Sequence, residues 1–291
     1  MKFAWIEAHL GEFEVEAMCR ILEVSSSGYY AWQKRDPSER EQRREKLLNE
    51  IKQVHAKSRG IYGSPRVFRE LKDSGVKVCE NTVAKLMSTA EITSKSVKKF
   101  VPTTTDSKHP HPVAPNLLDR QFEAKSPNQK WVTDITYVQT DEGWLYVAAV
   151  LDLCSRMVVG WSMAENMKTE LVADALRMAL KRRNPAAGIL HHSDRGVQYA
   201  CAAYAERLEA RGLRVSMSRA GNPYDNAKAE RFMRTLKDEE VNGKTYASLQ
   251  DARQSIGAFL ETIYNRARLH SALGYKPPVE FEDELQTLQT V

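Results

Sequence analysis

The sequence predicts a mixed-sheet α/β core preceded by small all-α units of helix-turn-helix type, and three observations carry that expectation. Apolar residues recur at helical spacing, broken by short turns, over residues 14–92. A proline-bearing stretch without apolar period follows at 94–126. Beyond it the texture changes to strand-like alternation, beginning with "KWVTDITYVQT" at 130–140. At 291 residues the chain exceeds one small domain, and these changes divide it at 1–40, 41–93, 94–126, 127–240 and 241–291.

From the N-terminus, "EVEAMCRILEVSSSGYYAWQKR" (14–35) reads as two short helices around a turn. Val15, Met18, Ile21 and Leu22 give the first an apolar face, and Ser25 or Ser26 caps the second. Residues 36–58 begin highly charged and become an amphipathic helix at Leu47, Ile51 and Val54. "SPRVFRELKDSGVKVCENTVAKLMSTAEI" (64–92) reads as helix, turn, helix, with Gly75 where a glycine follows a C-cap. Val67, Leu71 and Val76 are expected to share a core with Val83 and Leu86. Two such units suit DNA binding, although helical hairpins without that role are common. Residues 94–126 read as an extended linker.

The second half reads as three strands (130–140 and two within 143–166), a helix at 168–183, a short strand at 188–194 and a helix at 198–212. A fifth strand at 213–218 and a helix opening near Asp225, taken as its N-cap, complete a β-β-β-α-β-α-β-α order. Residues 248–266 make one more helix, and 267–283 read as a proline-containing tail packed by its aromatics. Trp131, Tyr137 and Trp144 are read as core, and Lys181, Arg182 and Arg183 as a helix end where cations meet the dipole.

Composition narrows the function. Hydrophobic content of 42% supports real cores and excludes a disordered chain. No run of about 18 uncharged apolar residues occurs, which argues against a membrane span. The charged start "MKFAWIEAHLGEFEVEAM" lacks the apolar region of a signal peptide. Cys19, Cys79, Cys154 and Cys201 lie far apart without a C-x-x-C, which suits reduced thiols in the cytoplasm and argues against a structural zinc. The net charge of +5 sits wholly in residues 1–126, where 22 Lys/Arg face 17 Asp/Glu, against 21 and 21 in 127–291. That excess hints at an acidic partner such as nucleic acid.

Three carboxylates stand out by position. Asp134 lies mid-strand, where a charge is costly without a partner or a role. Asp194 falls at the end of the fourth strand in "HHSDRG", and Glu230 lies on the polar face of the late helix with Asn226, Arg234 and Lys237. The apolar stripe of that helix is Ala229, Phe232, Met233 and Leu236. Each acid alone has an ordinary explanation: a strand-edge charge, a loop residue bonding amides, an i,i+4 partner of Arg234. Together, on strand, strand end and helix, they offer hard oxygen ligands for Mg²⁺ or Mn²⁺. Two such ions about 3.5–4 Å apart are a recurring device for phosphodiester chemistry. His191 and His192, just before Asp194, are read as structural.

With 35 residues between Asp194 and Glu230, and Lys237 seven after the glutamate, the three acids resemble the triad of the retroviral-integrase superfamily. "WVTDITYV", "HHSDRGVQY", "GNPYDNAKAERFMRTLKDE" and "YNRARLHSALGYKPP" resemble the OrfB-type transposases of the insertion-sequence 3 group. So do "CRILEVSSSGYYAW", "YGSPRVFRELKDSG" and "PTTTDSKHPHPVAPNLLDRQF", and the likeness spans nearly the whole chain. It implies an RNase-H-like core, two divalent ions, cleavage at the element's terminal repeats and 3′-OH strand transfer into target DNA. It assigns Asp134, Asp194 and Glu230 to the metals and to catalysis, with Lys237 and Arg234 on DNA phosphates and Asn226 on a terminal nucleotide. The resemblance further implies a homo-oligomer when assembled on DNA and a bacterial protein that is nucleoid-associated when active. An upstream, frameshift-fused OrfA-type partner is also implied, expected to lie outside this chain. A His/Cys zinc module, usual in retroviral integrases, is missing, since Cys19 has no nearby histidine pair. A DNA-binding regulator on the same scaffold, or a nuclease that does not join, are the rival readings.

Overall fold

The computed structural model describes residues 1–95 and 112–289. Residues 96–111 of the predicted linker, with part of its quoted motif, lie outside the described residues. The strands β1 (Lys130–Thr140), β2 (Gly143–Asp152), β3 (Val158–Ala164), β4 (Leu190–Ser193) and β5 (Arg214–Met217) form one sheet in the order β3-β2-β1-β4-β5. β1 runs antiparallel to β2 and parallel to β4, and β4 runs parallel to β5. This is the mixed five-stranded sheet that the sequence predicted for the α/β core.

Alternation along β2 divides the core in two. Leu145, Val147, Ala149 and Leu151 join Phe232, Met233, Ile256 and Phe259 on one face. Ala148 and Val150 join Leu171, Ala175, Leu176 and Tyr204 on the other. The first face is covered by α10 (Ala227–Leu236) and α11 (Leu249–Ala258), the second by α7 (Thr169–Arg183) and α9 (Ala202–Glu209). α7 approaches β3 closely only because residue 160 is glycine. A Cβ there would stand 2.2 Å from the Ala175 carbonyl oxygen and 2.6 Å from the Ala179 nitrogen.

The N-terminal helices are α1 (Lys2–Ala8), α2 (Val15–Ile21), α3 (Ser26–Gln33), α4 (Glu39–Lys57), α5 (Ser64–Asp73) and α6 (Glu80–Thr89). Ser25 caps α3, accepting from the Gly28 amide at 3.0 Å. α4 starts eight residues before the apolar pattern does, because Ser38 and Glu41 close a capping box. α4–α6 enclose Ile51, Val67, Leu71, Val83 and Leu86, while α1–α3 have their own small core of Ile6, Met18, Cys19 and Tyr29.

Several expectations are corrected. The helix read at 198–212 is broken: α8 (Val197–Ala200) ends at Cys201, whose extended backbone (ψ 144) starts α9. Residues 112–126 contain no helix or strand but are strapped to β5. Leu117 and Leu118 donate to Ser216 Oγ at 2.9 and 3.2 Å, and Leu118 is buried. Asp225 does not cap α10. Fully buried, it accepts from Arg219, Arg120 and Asn116 and so staples that strap to the loop before the helix. The late helix at 248–266 becomes a π-helical turn at Phe259–Tyr264, and the tail forms α12 (Pro278–Gln289). Arg183, from the helix end, holds α12 through Glu282 at 2.5 and 2.6 Å. Trp131 is buried but Trp144 is 45% exposed, so it is not core. Among the described residues, no helix is long and apolar enough to cross a membrane, and all four cysteines are free.

His191 and His192 are buried on β4. The His191 ring lies 3.1 Å from the Tyr204 hydroxyl, and His192 bridges Ser216 (2.8 Å) and Ser218 (3.2 Å). Burial pushes His191 down to about 3, with His192 adding to the effect; burial pushes His192 down to about 4 against the opposing charge of Asp225.

Two outcomes follow from this packing. Gly160→Ala forces α7 off β3 and is expected to cost about 2–3 kcal/mol, read as a lower urea midpoint. In the unfolded chain, histidines protonate near pH 6.5, as the buried pair does not. Stability from the pair is therefore full above about pH 6.5 and is lost as pH falls toward 4. Urea midpoints between pH 7 and 5 should decline, with a shallower slope in His192→Gln; an unchanged slope would refute the assignment.

Candidate active site

Asp134 occupies the middle of β1, opposite Ala149 of β2. Parallel pairing sets Val132 of β1 beside His192 of β4. Two residues further on, Asp134 comes level with Asp194, which follows Ser193 at the end of β4. Both acids keep the parity of Val132, Val138 and Leu190, whose side chains enter the core under α10. Glu230 lies in the first turn of α10, on its exposed side. The buried stripe Ala229, Phe232, Met233 and Leu236 holds that helix to the sheet, as its spacing predicted.

Both aspartates are oriented by backbone amides. Asp134 Oδ1 accepts from the Ile135 amide at 2.8 Å, and Asp194 Oδ1 from the Gly196 amide at 2.9 Å. A Cβ at residue 196 would crowd Asp194 Oδ1 at 3.1 Å, so glycine keeps that carboxylate unhindered. Electrostatics tie the three acids together. Burial pushes Asp134 well above the usual carboxylate range, and the charges of Asp194 and Glu230 push it further; the Ile135 amide and Lys237 oppose this. Glu230 is raised by burial and then by Asp194. Tyr199, bonded to Thr133 beside Asp134, is raised by burial and by both aspartates.

Among the described residues, no three His, Cys, Asp or Glu side chains are gathered tightly enough to enclose an ion. The carboxylates share one field without forming a closed cage, and like charges oppose their closer approach. The donor chemistry nonetheless fits a hard divalent cation, since every candidate ligand is a carboxylate oxygen. A cation would restore charge to Asp134, which its neighbours push toward neutrality.

The cations expected beside the triad divide. Lys237 is half-buried, with Nζ 4.0 Å from the Tyr137 ring centroid. Burial lowers its ammonium, and Asp134 opposes that shift. Arg234 is exposed and lines a groove of about 540 Å³ with Glu230, Phe122, Lys228 and Arg231. Lys228 and Arg231 were not among the expected site residues, although their three-residue spacing with Arg234 places all three on one edge of α10. Asn226 is corrected. It is 2% exposed, and its amide donates to the Thr133 carbonyl at 3.0 Å, so it ties α10 to β1 instead of facing a nucleotide. Its Oδ1 is buried without a partner.

Residues 124–223 match the integrase core domain family, and 211–278 match a second family of the same description. Residues 42–100 match an HTH-like domain. The transposase InsF of insertion sequence IS3A from Escherichia coli K12 is 42% identical over 286 residues, covering 98% of this chain and 99% of its own. The 31 kDa protein of insertion element IS600 from Shigella sonnei is 43% identical over 267 residues, covering 92% of this chain and 98% of its own. Among solved structures, the HTLV-2 integrase catalytic core in complex with magnesium aligns with 55% of this chain and 99% of its own, at 15% identity and a TM-score of 0.42. At 42% identity along nearly the full length of both chains, this protein belongs to the IS3 family of transposases, DNA polynucleotidyl transferases of the retroviral-integrase superfamily.

Proposed function

We propose that this transposase cuts DNA at its element's ends and joins the freed 3′-OH to target DNA through Asp134, Asp194 and Glu230, holding two Mg²⁺ or Mn²⁺ ions. The observation that carries the reading is the shared field of the three acids on one sheet face, with Asp134 raised by both others. Divalent ions bound there would activate the attacking hydroxyl and stabilise the leaving oxygen. Asp134 and Asp194 are oriented by amide bonds at the sheet, and Glu230 would join them as a ligand from the first turn of the covering helix. All three serve as ligands and none as a general acid.

Lys237 lies within the field of Asp134, and Arg234, Lys228 and Arg231 line the groove beside Glu230. These cations suit the phosphates flanking the scissile bond, contacts that position DNA without reading its sequence. Base reading falls to the HTH-like unit, where residues 51–95 carry 9 Lys/Arg against 4 Asp/Glu. Pairing two DNA ends calls for a homo-oligomer on DNA, and an OrfA-type partner fused upstream would add recognition of the terminal repeats.

The decisive assay incubates labelled DNA carrying the element's ends with Mg²⁺ or Mn²⁺, using this chain alone and fused to its upstream frame. Wild type should yield nicked and joined products. Glu230→Gln should lose about 100-fold or more while folding and DNA affinity stay near normal, because the carboxylate is exposed. Equal products from the variant would sink the triad assignment, and nicks without joining would favour a nuclease. In a separate titration, Arg231→Ala and Arg234→Ala should each flatten the slope of log affinity against log salt by about 1. Wild-type slopes in both would remove the groove from the DNA path.

A further inference from the structure

The helix that carries Glu230 does not end freely. After Leu236 it widens into a π-helical turn, Lys237–Val241, a device often found at functional sites. Two acids of that turn, Glu239 and Glu240, are only 8% and 1% exposed. Glu240 accepts from Arg59 at 2.7 Å, and also from Ser255, Lys244 and the Tyr246 hydroxyl. The same guanidinium donates to the Glu239 carbonyl at 2.5 Å and lies 5.8 Å from the Phe259 ring centroid. Glu239 is held in a two-pronged grip by Arg268, at 2.7 and 2.8 Å, with Arg66 at 3.7 Å.

Arg59 and Arg66 come from the loop after α4 and from α5, in the HTH-like unit. Arg59 holds a left-handed backbone (φ 60), which a non-glycine residue rarely adopts without a constraint. Apolar contact reinforces the joint. Tyr62 donates to the Ala267 carbonyl at 3.3 Å and accepts from the Leu269 amide at 3.1 Å, and Leu269 is buried in the core of α4–α6. Three segments distant in sequence thus meet on a turn whose first residue, Lys237, packs on the Tyr137 ring of β1 and feels the charge of Asp134.

Buried ion pairs add little stability over apolar packing, and their best-attested use is to fix register. We propose that Arg59, Arg66 and Arg268 are positioning residues: by gripping Glu239 and Glu240 they set the placement of α10, and hence of Glu230 and Lys237 against Asp134. The HTH-like unit then acts as a support for the catalytic helix as well as a DNA reader. This inference rests on the triad being the catalytic site, where a misplacement of about 1 Å can cost about 100-fold in rate.

The test compares wild type, Arg59→Met, Arg59→Lys, Tyr62→Phe and Glu230→Gln in the form that cleaves. Single-turnover cleavage is measured at saturating DNA, alongside the Mg²⁺ concentration giving half-maximal rate, DNA affinity and a melting curve. Arg59→Met should cleave about 10–100-fold more slowly and need more Mg²⁺, with DNA affinity unchanged within about threefold. Arg59→Lys should recover part of the rate, and Tyr62→Phe should show a smaller loss in the same direction. Folded Arg59→Met with wild-type rate and Mg²⁺ midpoint would overturn the proposal, as would a loss confined to DNA affinity. Should Arg59→Met not fold, Tyr62→Phe decides by the same two readouts. Inactive Glu230→Gln beside unaffected latch variants would spare the triad and remove the latch. Active Glu230→Gln would remove the triad, and the latch with it.

Discussion

Everything chemical in this molecule depends on where one parallel ladder stops. β1 pairs with β2 along its full length but with β4 only from Lys130 to Val132. Beyond Val132 the two parallel neighbours part, and β4 ends one residue later at Ser193. The notch so formed lies between two parallel strands, at the carboxyl end of β4 and beside the middle of β1. Asp134 can therefore sit mid-strand in the sheet's central strand without being sealed in apolar packing. Moving the register by one residue would turn Asp134 to the α7 face and separate it from Asp194 and Glu230 without changing any of the three carboxylates.

The flanking loops satisfy most of the polar groups around that notch, Asn226 Oδ1 excepted. Ser216 of β5 accepts from the strap at Leu117 and Leu118 and meets His192 of β4. Asp225 draws Arg219, Arg120 and Asn116 together, and those cations hold its carboxyl far below the usual range. Asn226 carries the tie onward to the Thr133 carbonyl, beside Asp134. The loop before α10 is thus pinned at consecutive residues, which sets how the helix approaches the sheet. Buried polar groups left without such partners would each cost about 1–3 kcal/mol, so the network is a condition of the fold as well as of the site.

What could be read from the sequence was what depends on near neighbours. The stripe of α10, the period of two in β1 and β2 and the Ser25 cap follow from residues within four positions of one another. The placement of Asp134, Asp194 and Glu230 on strand, strand end and helix was legible for the same reason. Asp225 was misread as a cap because its partners, Asn116 and Arg120, lie more than 100 residues away. Glu239 and Glu240 drew no reading at all, since nothing local announces a bond to Arg59 about 180 residues earlier. Asn226 fell on the polar face by angle alone, and only the crossing of α10 over β1 shows that this part of the face is covered. Pattern reports periodicity, and it is silent about which neighbour arrives from a distance.

Charge distribution makes the same point about the N-terminal units. The net excess lies within residues 1–126, yet residues 1–33 carry 2 Lys/Arg against 5 Asp/Glu. The net positive charge is concentrated in residues 51–95, with 9 Lys/Arg against 4 Asp/Glu, the part joined to the core through Leu269 and Tyr62. DNA attracted by that unit is attracted to the same rigid piece that touches the turn after Lys237. A flexible tether would make binding and alignment separate events, each with its own entropic cost. A packed joint makes them one, because a phosphate held by the helical unit stands at a set distance from the carboxylates.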